Sequence, residues 1–137
     1  MASPPPDLAV LSVEQCLQLL RIHPVHVGRL AVTDADGQPL VMPVNYRLDA
    51  DKVVVRAEPG SLLAELTAGH RVAFEVDDVD PAWEEGWSVL VQGRAQQVTD
   101  PDELLRLRRL PLRPWAPGDH SLYLRIVPRL ITGRRIV

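Results

Sequence analysis

The 137-residue sequence holds one cysteine, one lysine and one phenylalanine, and each scarcity excludes something. The lone Cys16 rules out a disulfide framework within the chain and a zinc site built from clustered cysteines. No apolar run approaches the ~18 residues of a membrane-spanning helix, so no membrane partner is expected. The opening residues, Met-Ala-Ser-Pro-Pro-Pro, lack the basic segment and apolar stretch of a secretory signal, and a cytoplasmic location is the expectation. Aromatic residues make up only 4% of the chain. That leaves no stacking platform of the kind single-strand binders use, so nucleic acid is not an expected partner. A Rossmann G-x-G-x-x-G, a P-loop and the G-x-S-x-G of hydrolases are all missing, and no internal repeat is visible.

What remains is an ordinary globular composition, 46% hydrophobic and 24% charged, with a mean hydropathy of -0.02. The length fits one domain and is too short for separate cofactor and substrate domains. Such a domain buries roughly 68% of its unfolded surface, enough for a sizeable core. The net charge of -3 hides an asymmetry. Residues 106–137 carry eight arginines against the single acid Asp119, a balance of +7, while the preceding residues carry -10. Such a split marks either an anion-binding face or two halves that neutralise each other within one fold or across a dimer. Fourteen of the fifteen basic residues are arginine, with Lys52 the exception, and no mechanism follows from that skew.

Residues 1–10, with Pro4 to Pro6, read as a disordered or draped arm, leaving 11–137 as the folded domain. Ser12 and Gln15 match a capping box, and Val13, Cys16, Leu17 and Leu20 follow with the spacing of an amphipathic helix ending before Pro24. On that stripe Cys16 reads as a core residue. Strand patterns then take over: 27–33, a turn at Asp36-Gly37, 39–48 and 52–57, in antiparallel succession. Pro39 and Pro43 require an edge or a bulge in the second strand. Ser61 caps a short helix at 62–66. A strand over 70–78, a polar loop over 78–86 and a long strand over 87–98 bent at Gly93 come next. A helix over 100–110 and a proline-rich loop lead to a final strand or pair over 121–137. Six or seven short strands, with helices only at the joints, predict a mainly β protein built as a small antiparallel barrel.

Few residues carry chemistry by spacing alone. His23 and His26 stand at H-x-x-H spacing without a second ligand cluster, and no metal site is expected. The acidic residues between Glu75 and Glu85 lack the spacing of a calcium loop and read as a solvated loop. In the segment 53–66 a strand ends at Arg56, turns through Pro59-Gly60 and enters a helix at Ser61. That is either a routine joint or an anion site made of helix amides, a hydroxyl and a guanidinium. On the neighbouring strand, Val41-Met42-Pro43-Val44-Asn45 offers apolar side chains and partly unpaired backbone to a flat heterocycle.

These two segments, taken with Gly28-Arg29-Leu30-Ala31-Val32, Phe74-Glu75-Val76-Asp77, Gly86–Ala95, Pro114-Trp115 and Thr132-Gly133-Arg134-Arg135, give the chain its likeness. It resembles the pyridoxamine 5′-phosphate oxidase-like family, the flavin-binding split β-barrels, and in particular its short actinobacterial members. The resemblance covers about Leu11 to Ile136. It implies a six-stranded antiparallel Greek-key split barrel and a homodimer with two cofactor sites at the interface. FMN is the usual ligand of such proteins, some relatives use the deazaflavin F420 or bind haem, and the substrate is a small molecule. Carried over by position, Val41, Met42, Pro43, Val44 and Asn45 lie along the isoalloxazine, Arg56, Ala57 and Ser61 meet the phosphate, and Trp87 and Ser88 approach the flavin. The phosphate motif departs from the family at Ala57, where threonine is common, and at Leu62 and Leu63, where a cation is common. No catalytic acid or base is assigned. The resemblance leaves three functions to separate: a flavin oxidoreductase, a non-catalytic carrier of F420, haem or another planar ligand, and a barrel that has lost FMN.

Overall fold

A computed structural model describes residues 8–136. The chain runs β1 (Leu8–Leu11), α1 (Val13–Ile22), β2 (Val27–Thr33), β3 (Pro39–Asn45), β4 (Arg47–Asp49), β5 (Lys52–Ala57), α2 (Leu62–Thr67), β6 (Arg71–Asp80), β7 (Glu85–Gln97), α3 (Pro101–Leu107) and β8 (Leu122–Ile136). The fold is mainly β, a curled antiparallel half-barrel with strand order β3-β2-β6-β7-β8-β5-β4, and β1 pairs with β8.

Eight strands replace the six expected, and two local events account for the difference. Leu8–Leu11 forms a strand against Gly133–Ile136, inside what the sequence reads as an arm; residues 1–7 of that arm lie outside the described residues. The segment 39–49 is divided at Tyr46 into β3, which pairs with β2, and β4, which pairs with β5. One continuous stretch of chain thus supplies both margins of the curled sheet. Because β3 pairs on one side only, Pro39 and Pro43 cost no ladder bond on the other. The closing segment is one strand through Ile136, and Val137 lies outside the described residues. The polar loop shrinks to residues 81–84, since β6 and β7 continue as a ladder to Asp80 and Glu85.

Short-range hydrogen bonds fix the joints. The Ser12 Oγ accepts from the Gln15 N–H at 3.1 Å, and the Ser12 N–H donates to Gln15 Oε1 at 2.8 Å. At the β2–β3 hairpin Asp34 Oδ1 accepts from the Asp36 and Gln38 amides at 2.9 and 2.8 Å. Alternation then decides which side chains enter the curl: Val72, Phe74 and Val76 from β6, Val89 and Val91 from β7, Leu124 and Ile126 from β8. Cys16 and Leu20 of α1 close one side, and the buried Tyr46 hydroxyl donates to the Leu20 carbonyl at 2.8 Å. A second, smaller core lies outside the sheet, where Val54 and Tyr123 meet Val98, Leu107 and Leu112.

The bend expected at Gly93 is present as a register shift. Gln92 faces Leu130 and Gly93 faces Pro128, which leaves Arg129 as an additional residue of β8. A Cβ on Gly93 would lie 2.1 Å from the Val127 carbonyl oxygen, so only glycine permits this approach.

Candidate functional site

On β3 the alternation separates the expected ring-contacting residues. Val41 and Pro43 are exposed, whereas Met42 and Val44 pack against the core. Asn45 is held by its side chain, whose Oδ1 accepts the Trp115 N–H at 2.9 Å. Beside it opens a cavity of about 340 Å³ bordered by His26, Arg47, Leu112 and Trp115. His26 Nε2 lies 2.8 Å from Arg47 Nη1, from which it can only accept, and 3.3 Å from the Arg21 carbonyl, to which it can only donate; the shorter contact favours the acceptor role. Burial, then the nearby Arg47 charge, lowers the His26 pKa, in keeping with a neutral ring.

Trp87 and Ser88 share a different cavity, of about 590 Å³, whose walls include Val79, Pro81, Arg134 and Ile136. An adjoining space of about 400 Å³ is lined by Asp78, Trp87 and Arg135. The acidic hairpin therefore borders a cavity, where the sequence reads a solvated loop. His23 stacks edge-on against Trp87, 5.3 Å between ring centres, and its Nε2 lies 3.4 Å from Asp78 Oδ2. The two histidines of the H-x-x-H pair thus turn to different neighbours.

The three expected phosphate ligands do not converge. Ala57 is fully buried in the main core, while Arg56, next to it on the strand, points to the other face. There Arg56 donates from Nε to the His120 carbonyl at 2.9 Å and from Nη1 to the Leu112 carbonyl at 3.1 Å. Its guanidinium also sits over the Tyr123 ring, 5.1 Å from the centroid. Ser61 caps α2 as expected, with its Oγ accepting from the Ala64 N–H at 3.2 Å. Leu62 follows it, 55% exposed, where the resemblance leads one to expect a cation.

Glu75 and Asp77, which the sequence reads as part of a solvated acidic run, are set beside Arg29. Arg29 Nη1 lies 3.0 Å from Glu75 Oε1 and 3.5 Å from Asp77 Oδ2, and Asp77 faces Ser88 across the β6–β7 ladder at the margin of the larger cavity. Burial, reinforced by the hydrogen bond and charge of Asp77, pushes the Glu75 carboxyl up to about 7, and Arg29 only partly opposes this. The signal available in the sequence was two carboxylates two residues apart on one strand face.

Ser88 and Trp87 therefore meet in one cavity, Asn45 lines another, and Val41–Val44, Arg56, Ala57 and Ser61 line neither.

Known proteins bear on this geometry. Residues 12–135 match the family described as pyridoxamine 5′-phosphate oxidase. The chain is 33% identical to the uncharacterized protein Rv0080 of Mycobacterium tuberculosis over 141 aligned positions, covering 99% of this chain and 91% of that one. Among solved structures, an FAD binding protein from Mycobacterium smegmatis superposes with a TM-score of 0.80 at 34% identity, covering 93% of this chain and 97% of the other. An FAD-binding protein from Mesorhizobium loti gives a TM-score of 0.71 at 26% identity, covering 95% and 99%. By its sequence over nearly its whole length, this chain belongs to the pyridoxamine 5′-phosphate oxidase family.

Proposed function

We propose that this chain is a flavin-binding split barrel that works as a homodimer and passes reducing equivalents between the flavin and a small molecule. The observation that carries the reading is the cavity at Trp87 and Ser88, which joins apolar walls from Val79, Pro81 and Ile136 to Arg134 and to the carboxylates Asp77, Asp80, Glu84 and Glu85. A flat, partly polar ring fits the apolar wall beside Trp87 and Ser88. Two relatives of similar length are described as FAD-binding proteins, which supports the same ligand class. The exposed Val41 and Pro43 on the sheet margin remain open to a second copy, which would bring one protomer's β3 to the other's Trp87.

The tail of the flavin decides between FMN and FAD. The resemblance places a phosphate monoester at Arg56, Ala57 and Ser61. Here Arg56 is engaged by two carbonyls, Ala57 has no donor on its side chain, and the Ser61 hydroxyl caps α2. These engagements leave a monoester fewer donors than the resemblance leads one to expect, and FAD, which has no terminal monoester, is the cofactor proposed here, with FMN the alternative. The bound flavin supplies the redox chemistry. The chain's own part is to hold the ring against Trp87 and to exclude water with the apolar wall.

The test is the absorption spectrum, native mass and melting temperature of the purified protein with FAD, FMN and F420 in turn. The expected result is a dimer with flavin absorption that is stabilised more by FAD than by FMN. Equal stabilisation by FMN would overturn the preference for FAD. No absorbance and no stabilisation with any of the three would overturn the flavin reading itself. Bound flavin without nicotinamide-dependent turnover would identify a carrier rather than an enzyme.

A further inference from the structure

The arginines that contact carboxylates do so one arginine to a site: Arg29 with Glu75 and Asp77, Arg106 with Asp49 and Arg125 with Glu103. A different arrangement lies farther along β7, roughly 20 Å from Trp87 at the rise of an extended strand. There a cleft of about 670 Å³ is lined by Arg71, Arg94 and Arg129, with Gln92, Gln96 and Pro128 among its other walls and no carboxylate. Arg71 and Arg94 face each other directly across the β6–β7 ladder. Like charges in facing positions oppose sheet formation. Arg129, the additional residue at the β7–β8 register shift, brings a third guanidinium to the same place. Gly93, closely approached by the Val127 carbonyl, lies beside them. Among the described residues, Arg94 donates one N–H to the Gly69 carbonyl at 2.7 Å, and the side chains of Arg71 and Arg129 have no protein acceptor.

We propose that this cleft binds the phosphate monoester or diphosphate group of a small organic molecule. A single guanidinium fork satisfies a carboxylate with two parallel hydrogen bonds. Three cations without a carboxylate call for a ligand of higher charge with three or more acceptor oxygens, which phosphate provides. Gln92 and Gln96 add amides for the polar part of the organic body, and Val127 and Pro128 add apolar ground. An anion bridging Arg71 and Arg94 also turns their repulsion into attraction. The site stands apart from the flavin cavity and does not depend on it.

Isothermal titration with inorganic phosphate, pyrophosphate and ADP at low salt tests this, with Arg71→Gln and Arg129→Gln beside the parent protein. The expected result is saturable binding of pyrophosphate or ADP that weakens at least about tenfold in each variant, the loss of one charge-assisted pair. Arg71→Gln should also raise the melting temperature of the anion-free protein, because it removes one of two facing charges, and flavin absorption should be unchanged. No saturable binding of any probe, or equal binding by parent and variants, would overturn the proposal. So would a DNA duplex that binds more tightly than ADP through the same arginines, which would mark a nucleic-acid surface. Loss of self-association in the variants, without loss of anion binding, would overturn it in favour of a contact between copies.

Discussion

Replacing Arg56 with alanine separates an internal brace from a cofactor ligand. In the structure its Nε–H and one Nη1–H donate to the carbonyls of His120 and Leu112, at 2.9 and 3.1 Å, and its charge rests over Tyr123. Hydrogen bonds from a charged donor contribute roughly 1.5–3 kcal/mol each. The ring contact adds roughly 0.5–1 kcal/mol. These contributions share one side chain and are not additive, so the expected loss is about 2–4 kcal/mol. Much of it comes from stranding two carbonyls that anchor residues 112–120 against β5. Urea denaturation of Arg56→Ala should show that loss with little change in slope. Titration of the folded variant with FAD should give an affinity within about threefold of the parent. A stability change below about 0.5 kcal/mol, together with flavin binding weakened about tenfold or more, would refute the brace and restore Arg56 to the phosphate.

The Glu75 carboxyl is raised in the fold from 4.5 to about 7, so its contribution to stability is complete below 4.5 and is lost as pH rises to about 7. Glu75→Gln should therefore match the parent at about pH 4 and exceed it in melting temperature at about pH 8; a difference independent of pH would refute the shift. Thr67 is fully buried and its Oγ1 has no hydrogen-bond partner among the described residues, so Thr67→Val should raise stability by roughly 1 kcal/mol in urea denaturation, and a loss would show that the hydroxyl is satisfied. A Cβ on Gly133 would meet Cys16 Sγ at 2.5 Å and the Ser88 carbonyl oxygen at 3.1 Å. Gly133→Ala should cost roughly 1–3 kcal/mol, and Cys16→Ala in the same chain should recover part of it; purely additive effects would refute the contact.

The parts of the fold legible in the sequence are those whose hydrogen bonds close within a few residues. Ser12 with Gln15, Ser61 with Ala64 and Asp34 with Gln38 span three or four positions, so composition and spacing reveal them. The alternation of Val72, Phe74 and Val76 is likewise read from the chain, because one buried face imposes a period of two. The candidate site is less legible. Arg56 reads as a phosphate ligand from its place before the turn, yet its acceptors lie 56 and 64 residues away and claim the guanidinium. Leu8–Leu11 reads as part of an arm, because its strand exists only where β8 offers an unpaired edge. The division of 39–49 at Tyr46 is set by a ring that packs on Phe74 and bonds to Leu20, both distant in sequence.

The sequence by itself determined the class of the protein: mainly β, without disulfide cross-links, and with the ordered motifs of the pyridoxamine 5′-phosphate oxidase family. Those properties reside in residue types and their short spacings, which need no third dimension. Only the tertiary structure decided which charges are spent and which stay available. It assigned Arg56 to two carbonyls, set Glu75 beside Asp77, and gathered Arg71, Arg94 and Arg129 in one cleft. The reason is that strand register, fixed by burial of one face along the whole ladder, chooses the partner of every charged side chain on the other.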